Sequence, residues 1–318
     1  MDAHSVRPAT LDDVALVTDL LNAVDVLEVG RPETDLVSVR ADLSHPDADL
    51  LRNSWLGFVG DELVVYGLLW DDSDAERIDM DQYGLPEHQD LAEEVMALME
   101  ARAVEKAGEN GAERAVVHLG VNVNPTLDLA MLRRRGWRPV RRYYVMTRAL
   151  DAGVSGAPAA PPGLTLRDCQ DEADRRIAHA LLQETFADHY DHQDRSYAQW
   201  LDDLGELVDW SKMWVAAVDG EDVAVMVTSN HRKAHAWINS LGVRRQARGK
   251  GIGGFLLRHA FATYAALGRD QIGLGVDTEN ESGALRLYEA NGMGQYFAVD
   301  NWEVVLPVPR PARPAPLG

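Results

Sequence analysis

His235 to Phe261 reads HAWINSLGVRRQARGKGIGGFLLRHAF: an apolar strand, a glycine-rich turn and a helix, in that order. Glycines at 249, 251, 253 and 254 leave the backbone bare of side chains where the helix begins. Successive N–H groups there, that of Ile252 included, can converge on an anion, and the helix dipole adds to the attraction. Pyrophosphate suits this geometry, with Arg248 and Lys250 supplying charge at the rim. Gly249, Gly251 and Gly254 also spell the G-x-G-x-x-G of dinucleotide-binding folds. That fingerprint belongs in the first strand-to-helix turn of its domain, with an acid about 20 residues on, whereas this turn stands in mid-domain behind antiparallel strands. A Walker-type phosphate loop is absent from the sequence.

Working outward, the strands KMWVAAVD, VAVMVTSN and HAWINSLGV precede a helix over Gly251–Leu267. Strand QIGLGV, a helix over Ser282–Ala290 and strand YFAVDNWEVVL follow. The first half of the chain repeats the order. Trp55 opens WLGFVGDELVVYGLLW as Trp214 opens WVAAVDGEDVAVMVTS, and each reads as a hairpin around a tight turn. Strands ending at Arg7 and Arg167 each lead into a helical pattern, and Asn124 precedes Gly136 by the same 12 positions that separate Asn280 from Gly292. Between the halves, small residues and proline (LDAGVSGAPAAPPGL) mark a linker. The expected division is residues 1–150, a linker over 151–163, a second domain over 164–308 and a disordered proline-rich tail over 309–318. The fold class is α/β in the sense of a mixed, mostly antiparallel sheet flanked by helices in each domain.

Arg248, Gly251 and Gly253, followed by GVDTENESGALRLYEANGM, resemble the acetyl-CoA signature of the GNAT N-acetyltransferase family. The tandem order resembles that of the mycothiol synthases within it. The resemblance covers most of residues 164 to 306. It implies a strand whose backbone at Leu241, Gly242 and Val243 pairs with the pantetheine arm, an Asn280 that contacts the same arm, and a Tyr288 that protonates the departing thiolate. The implied reaction is direct acetyl transfer from acetyl-CoA to a primary amine of a small molecule in a ternary complex, with no metal. A phenol near its ordinary pKa of about 10 is a sensible acid for a thiolate. At an offset of 156 residues, Leu132 stands where Tyr288 does, and the stretch matching the phosphate loop, DQYGLPEHQDLAEEV, is acidic. The first half is therefore expected to be a degenerate copy, and the competing reading of the pair is a non-catalytic CoA-binding sensor or scaffold.

An arriving ammonium group needs a base. His235 alternates with Trp237 and Asn239 along one strand face and is the candidate base, with Trp237 and Asn239 toward the acceptor. The run Asp188, His189, Tyr190, Asp191, His192 is the candidate acceptor region. Composition bounds the partners. With 31 basic against 51 acidic residues the chain carries −20, which disfavours nucleic acid. Cys169 is the only cysteine, which excludes an internal disulfide and fits a reducing cytoplasm. The sequence carries neither a leader pattern nor a long apolar run, so export and membrane insertion are not expected. A monomer or homodimer is expected.

Overall fold

The computed structural model describes residues 4–309 except 46, 47, 72, 74, 151–155, 157, 191, 206, 207, 231–234 and 281. It divides into two compact units. One comprises residues 1–142 with 299–318, and the other residues 143–298.

In the first unit, β1 (His4–Arg7), β2 (Ser54–Val59), β3 (Glu62–Trp70), β4 (Arg77–Gly84) and β5 (Arg114–Asn122) lie in that order. Pairing is antiparallel except for β4 with β5. Helices α1 (Val14–Val29), α2 (Leu36–Leu43) and α3 (Leu50–Asn53) join β1 to β2, α4 (Gln89–Glu109) joins β4 to β5, and α5 (Leu129–Arg134) follows. Alternation along β3 sends Tyr66 and Leu68 to a core with α1 and α2, and Val65 and Leu69 to a core with α4. The sheet is thus sandwiched between helical layers. Chain order then breaks. After β6 (Arg138–Ala149) the chain begins the second unit, and the sixth strand of the first unit is the end of β12 (Gly294–Pro307), paired antiparallel with β5 from Val299 to Pro307.

The second unit repeats the plan. Strands β7 (Leu164–Asp168), β8 (Met213–Val218), β9 (Glu221–Ser229), β10 (Ala236–Val243) and β11 (Gln271–Asp277) are again antiparallel except for β10 with β11. Helices α6 (Glu172–Phe186) and α7 (Tyr197–Leu204) join β7 to β8, α8 (Ile252–Ala266) joins β10 to β11, and α9 (Ala284–Ala290) follows β11. Its sixth strand is Tyr143–Ala149 of β6, antiparallel to β11. Met226 and Ala224 of β9 pack with α8, while Val225 and Val227 pack under α6.

The repeat is visible in detail. Each hairpin carries a register shift at the same place, after Gly57 in one and after Ala216 in the other. The arginines ending β1 and β7 each grip an acid near the next helix start: Arg7 meets Asp13 at 2.6 Å and Arg167 meets Asp174 at 2.6 Å. Backbone bonds Trp137 N–H to Leu132 O and Met293 N–H to Tyr288 O coincide at the 156-residue offset, so Leu132 does occupy the place of Tyr288.

The expected consecutive domains, 1–150 and 164–308, are corrected in one respect. Each unit closes its sheet with a strand from the other half of the chain, because the β5 and β11 edges are completed by residues far from them in sequence. The expected tail from 310 on, and residues 151–155 and 157 of the expected linker, lie outside the described residues.

Candidate active site

Strand β10 meets β11 over only three residues, Ala236–Ile238 against Ile272–Leu274. Between Ile238 and Ser240 its register with β9 slips by one, leaving Asn239 as a bulge. Beyond the bulge β10 stays on β9 through Val243 and is no longer paired with β11. The two strands splay, and a cleft of about 460 Å³ opens between Ile238–Val243 and Leu274–Asp277. The backbone that β11 would have paired is left facing that cleft.

The glycine loop forms one end. Gly249 and Gly251 have φ of +75° and +80° with open space around them, so left-handed backbone alone calls for glycine there. Gly251 is the N-cap of α8 and has no side chain to cap it, so the first amides of the helix point outward unfilled. Close packing explains the other glycines. A Cβ at Gly253 would stand 3.0 Å from Leu287 on α9, and one at Gly242 would run into Thr185 of α6. Arg248 bends back, its Nε donating to Val243 O at 3.0 Å. Its neighbours are engaged elsewhere: Arg244 pairs with Glu184 and Glu221, and Arg245 with Asp188 at 2.6 Å.

On the opposite wall stands Tyr288, 8% exposed, and burial alone pushes its phenol up to about 12 rather than leaving it at the ordinary value. The group is therefore neutral throughout the working range. Asn280 shares the wall, its Oδ1 accepting from Ser282 N at 2.8 Å in the turn that starts α9. The fold brings Leu241, Gly242, Val243, Arg248, Gly249, Gly251–Gly254, Asn280 and Tyr288 to one cavity, with Asn239 and His189. Lys250 is exposed and off the lining, between two left-handed glycines.

The rest of the expected acceptor set falls differently. His235 is buried ahead of β10 and is absent from the cleft wall, with its ring 5.5 Å from that of Trp237. Trp237 covers Gly273 of β11, where a Cβ would come within 2.8 Å of the indole. The bulge is the reason: Asn239 is displaced from the alternation that was to align the three side chains. Asp188 is held out by Arg245, Tyr190 is exposed and off the wall, and Asp191 lies outside the described residues. In their place the cleft is lined by Tyr143 of β6, Phe186 at the end of α6, and Asp277 at the end of β11. None of these carries a local sequence signal, because each reaches the cleft only through sheet pairing or helix packing.

The corresponding notch in the first unit is bridged by hydrogen bonds. Strands β4 and β5 pair only over Arg77–Met80 and Val116–Leu119, but β4 keeps an unbroken register with β3 and has no bulge. Gln89 at the start of α4 donates to Thr126 O at 3.1 Å and accepts from Asp128 N at 2.8 Å. Glu28 of α1 accepts both the Thr126 amide and hydroxyl. Burial raises the Asp25 and Glu28 carboxyls.

Among the described residues no group of three or more His, Cys, Asp or Glu is arranged to hold a metal ion, and no helix is long and apolar enough to cross a membrane. Cys169 is buried, with its thiol pushed up to about 12 by burial.

The fold is that of tandem GNAT proteins. Residues 175–293, which carry the whole cleft lining but Tyr143, match the model of the acetyltransferase (GNAT) family, which supports acyl transfer as the general chemistry of the second unit. A GCN5-related N-acetyltransferase from Sphaerobacter thermophilus is similar at 23% identity over 96% of each chain, with a TM-score of 0.81. A tandem GNAT protein from the clavulanic acid biosynthesis pathway is similar at 16% identity over 95% of this chain and 98% of that one, with a TM-score of 0.68. A putative acetyltransferase from Pyrococcus horikoshii is similar at 13% identity over 97% and 91%, with a TM-score of 0.58. No curated protein sequence matches.

Proposed function

We propose that the protein is an acetyl-CoA-dependent N-acetyltransferase with one working site per chain, in the second unit, acting on a primary amine of a small molecule in a ternary complex. The carrying observation is that the splayed backbone, the uncapped N-terminus of α8 and the neutral phenol of Tyr288 line a single cleft. Pyrophosphate would lie on the amides of residues 252–254 beside Arg248, and the pantetheine arm along Leu241–Val243, taking the place of a strand on β10. A strand amide there would hold the thioester oxygen as it gains charge. As the C–N bond forms and the C–S bond breaks, Tyr288 gives its proton to the sulfur. At about 12 the phenol is a weak acid, yet a thiolate departing beside so buried a group would lose solvation and be more basic as well, which keeps the pair matched.

The bridged, acidic notch of the first unit, with no counterpart of Tyr288, supports a single site. Titration calorimetry with acetyl-CoA tests this directly, with an expected stoichiometry of one per chain; absence of binding would sink the reading. A screen of primary amines read by mass spectrometry then identifies the acceptor, and cysteinyl amines belong in it because the tandem order resembles the mycothiol synthases.

A further inference from the structure

We propose that His189 is the general base of the second unit's cleft, taking a proton from the incoming ammonium group, with Asp277 as the carboxylate that receives the cation. This rests on the acetyl-transfer reading of the same cleft. His189 follows α6 in a tight turn, its amide donating to Phe186 O at 2.8 Å and its ring 4.4 Å from the Phe186 ring. Both side chains line the cleft that Tyr288 lines. Asp277 ends β11 at the point where β10 has departed, and its place is set by the turn that also sets Asn280: Oδ1 accepts from Glu279 N at 2.9 Å and its carbonyl from Asn280 N at 3.3 Å. Tyr143 sits opposite Asp277 on β6 and closes that end. A small cleft end with one carboxylate, one imidazole and one phenol suits a compact amine.

His189 is poised for the task. Burial lowers its pKa, and Arg248 and His192 push the same way, while Asp277 and Asp188 pull it up. The imidazole is neutral at pH 7 and so free to accept a proton. Arg248 lies beside the loop proposed for pyrophosphate. An anion seated there offsets its charge, removing one of the influences that weaken the base, so cofactor arrival strengthens His189 before the amine reacts. The proton count closes: the ammonium gives one proton to His189, which releases it to solvent. The attacking nitrogen sheds a second as the amide forms, replacing the one Tyr288 gives to the thiolate.

His189→Gln provides the test, with ethylamine and hydroxylamine as minimal acceptors and thiol release as the readout. Ethylamine is an ammonium ion at pH 7, whereas hydroxylamine is largely neutral and needs no base. The variant is expected to lose roughly 10² to 10⁴-fold in kcat/KM for ethylamine and less than about tenfold for hydroxylamine. Its acetyl-CoA affinity by calorimetry should stay at the wild-type value. NMR titration of the His189 ring should give a higher pKa in the CoA complex than in the free protein. Equal losses on both amines, or no loss on ethylamine, would overturn the assignment. Failure of the wild-type protein to bind acetyl-CoA would instead strike the underlying reading, through the calorimetry alone.

Discussion

Three single residues can be tested by conservative changes: Tyr288 for its proposed role as acid, and Gly251 and Asp13 for what they contribute to stability. Tyr288→Phe keeps the buried ring but has no proton to give, so kcat should fall about 10²-fold with acetyl-CoA binding unchanged. Because burial holds the wild-type phenol near 12, no alkaline loss of activity from Tyr288 should appear up to about pH 10; a descending limb assigned to that tyrosine below this would contradict it. Gly251→Ala places a Cβ on a residue at φ +80°, costing roughly 1–2 kcal/mol, visible as a lowered denaturant midpoint. In the first unit, Arg7 holds Asp13 down at about 2 against an ordinary 3.8. A depressed carboxyl stabilises the fold fully above its ordinary value and loses that contribution as pH falls toward about 2. Asp13→Asn should therefore cost about 2 kcal/mol at pH 7, with the gap from wild type narrowing below pH 4 in acid-unfolding curves.

At the scale of elements, the bulge in β10 makes the cleft. The equivalent strand β4 has none, and there the notch is latched by Gln89 and Glu28. Deleting Asn239 makes the ladder between β9 and β10 continuous and removes the cause of the splay. The deletion variant should retain its circular dichroism and lose at least tenfold in acetyl-CoA affinity; unchanged affinity would show that the bulge is incidental. The same bulge marks what the sequence could and could not disclose. The glycine loop, Asn280 and Tyr288 are legible because their geometry is local, written into positive φ, a turn and a helix position. His235 and Trp237 misled because strict alternation was assumed across Asn239, and an extra residue in a strand leaves no compositional trace. His189, Asp277 and Tyr143 were invisible as a group, since each meets the others only through tertiary packing.

For the whole chain, the duplication was readable from paired landmarks such as Arg7 with Arg167 and Trp55 with Trp214. The exchange of closing strands was not, because an antiparallel edge accepts any strand of suitable pattern, and pairing partners are not spelled in residues. It follows that neither half is a self-sufficient unit. Residues 1–150 alone lack the strand that covers β5, and residues 151–318 alone lack the strand that covers β11. Each half expressed separately should melt well below the intact protein or aggregate, and co-expression of the two should restore acetyl-CoA binding.

The exchange also orders events during synthesis. Everything in the first unit but its last strand leaves the ribosome early, yet β5 cannot be covered until residues 299–307 have been made, after the whole second unit. Through that interval a long apolar edge, with Ala115, Val117 and Leu119 at its core, stays unpaired in the nascent chain and invites misassociation. Folding of the first unit therefore waits on synthesis of the whole second unit, and nascent chains halted before residue 299 should aggregate more readily than the finished protein.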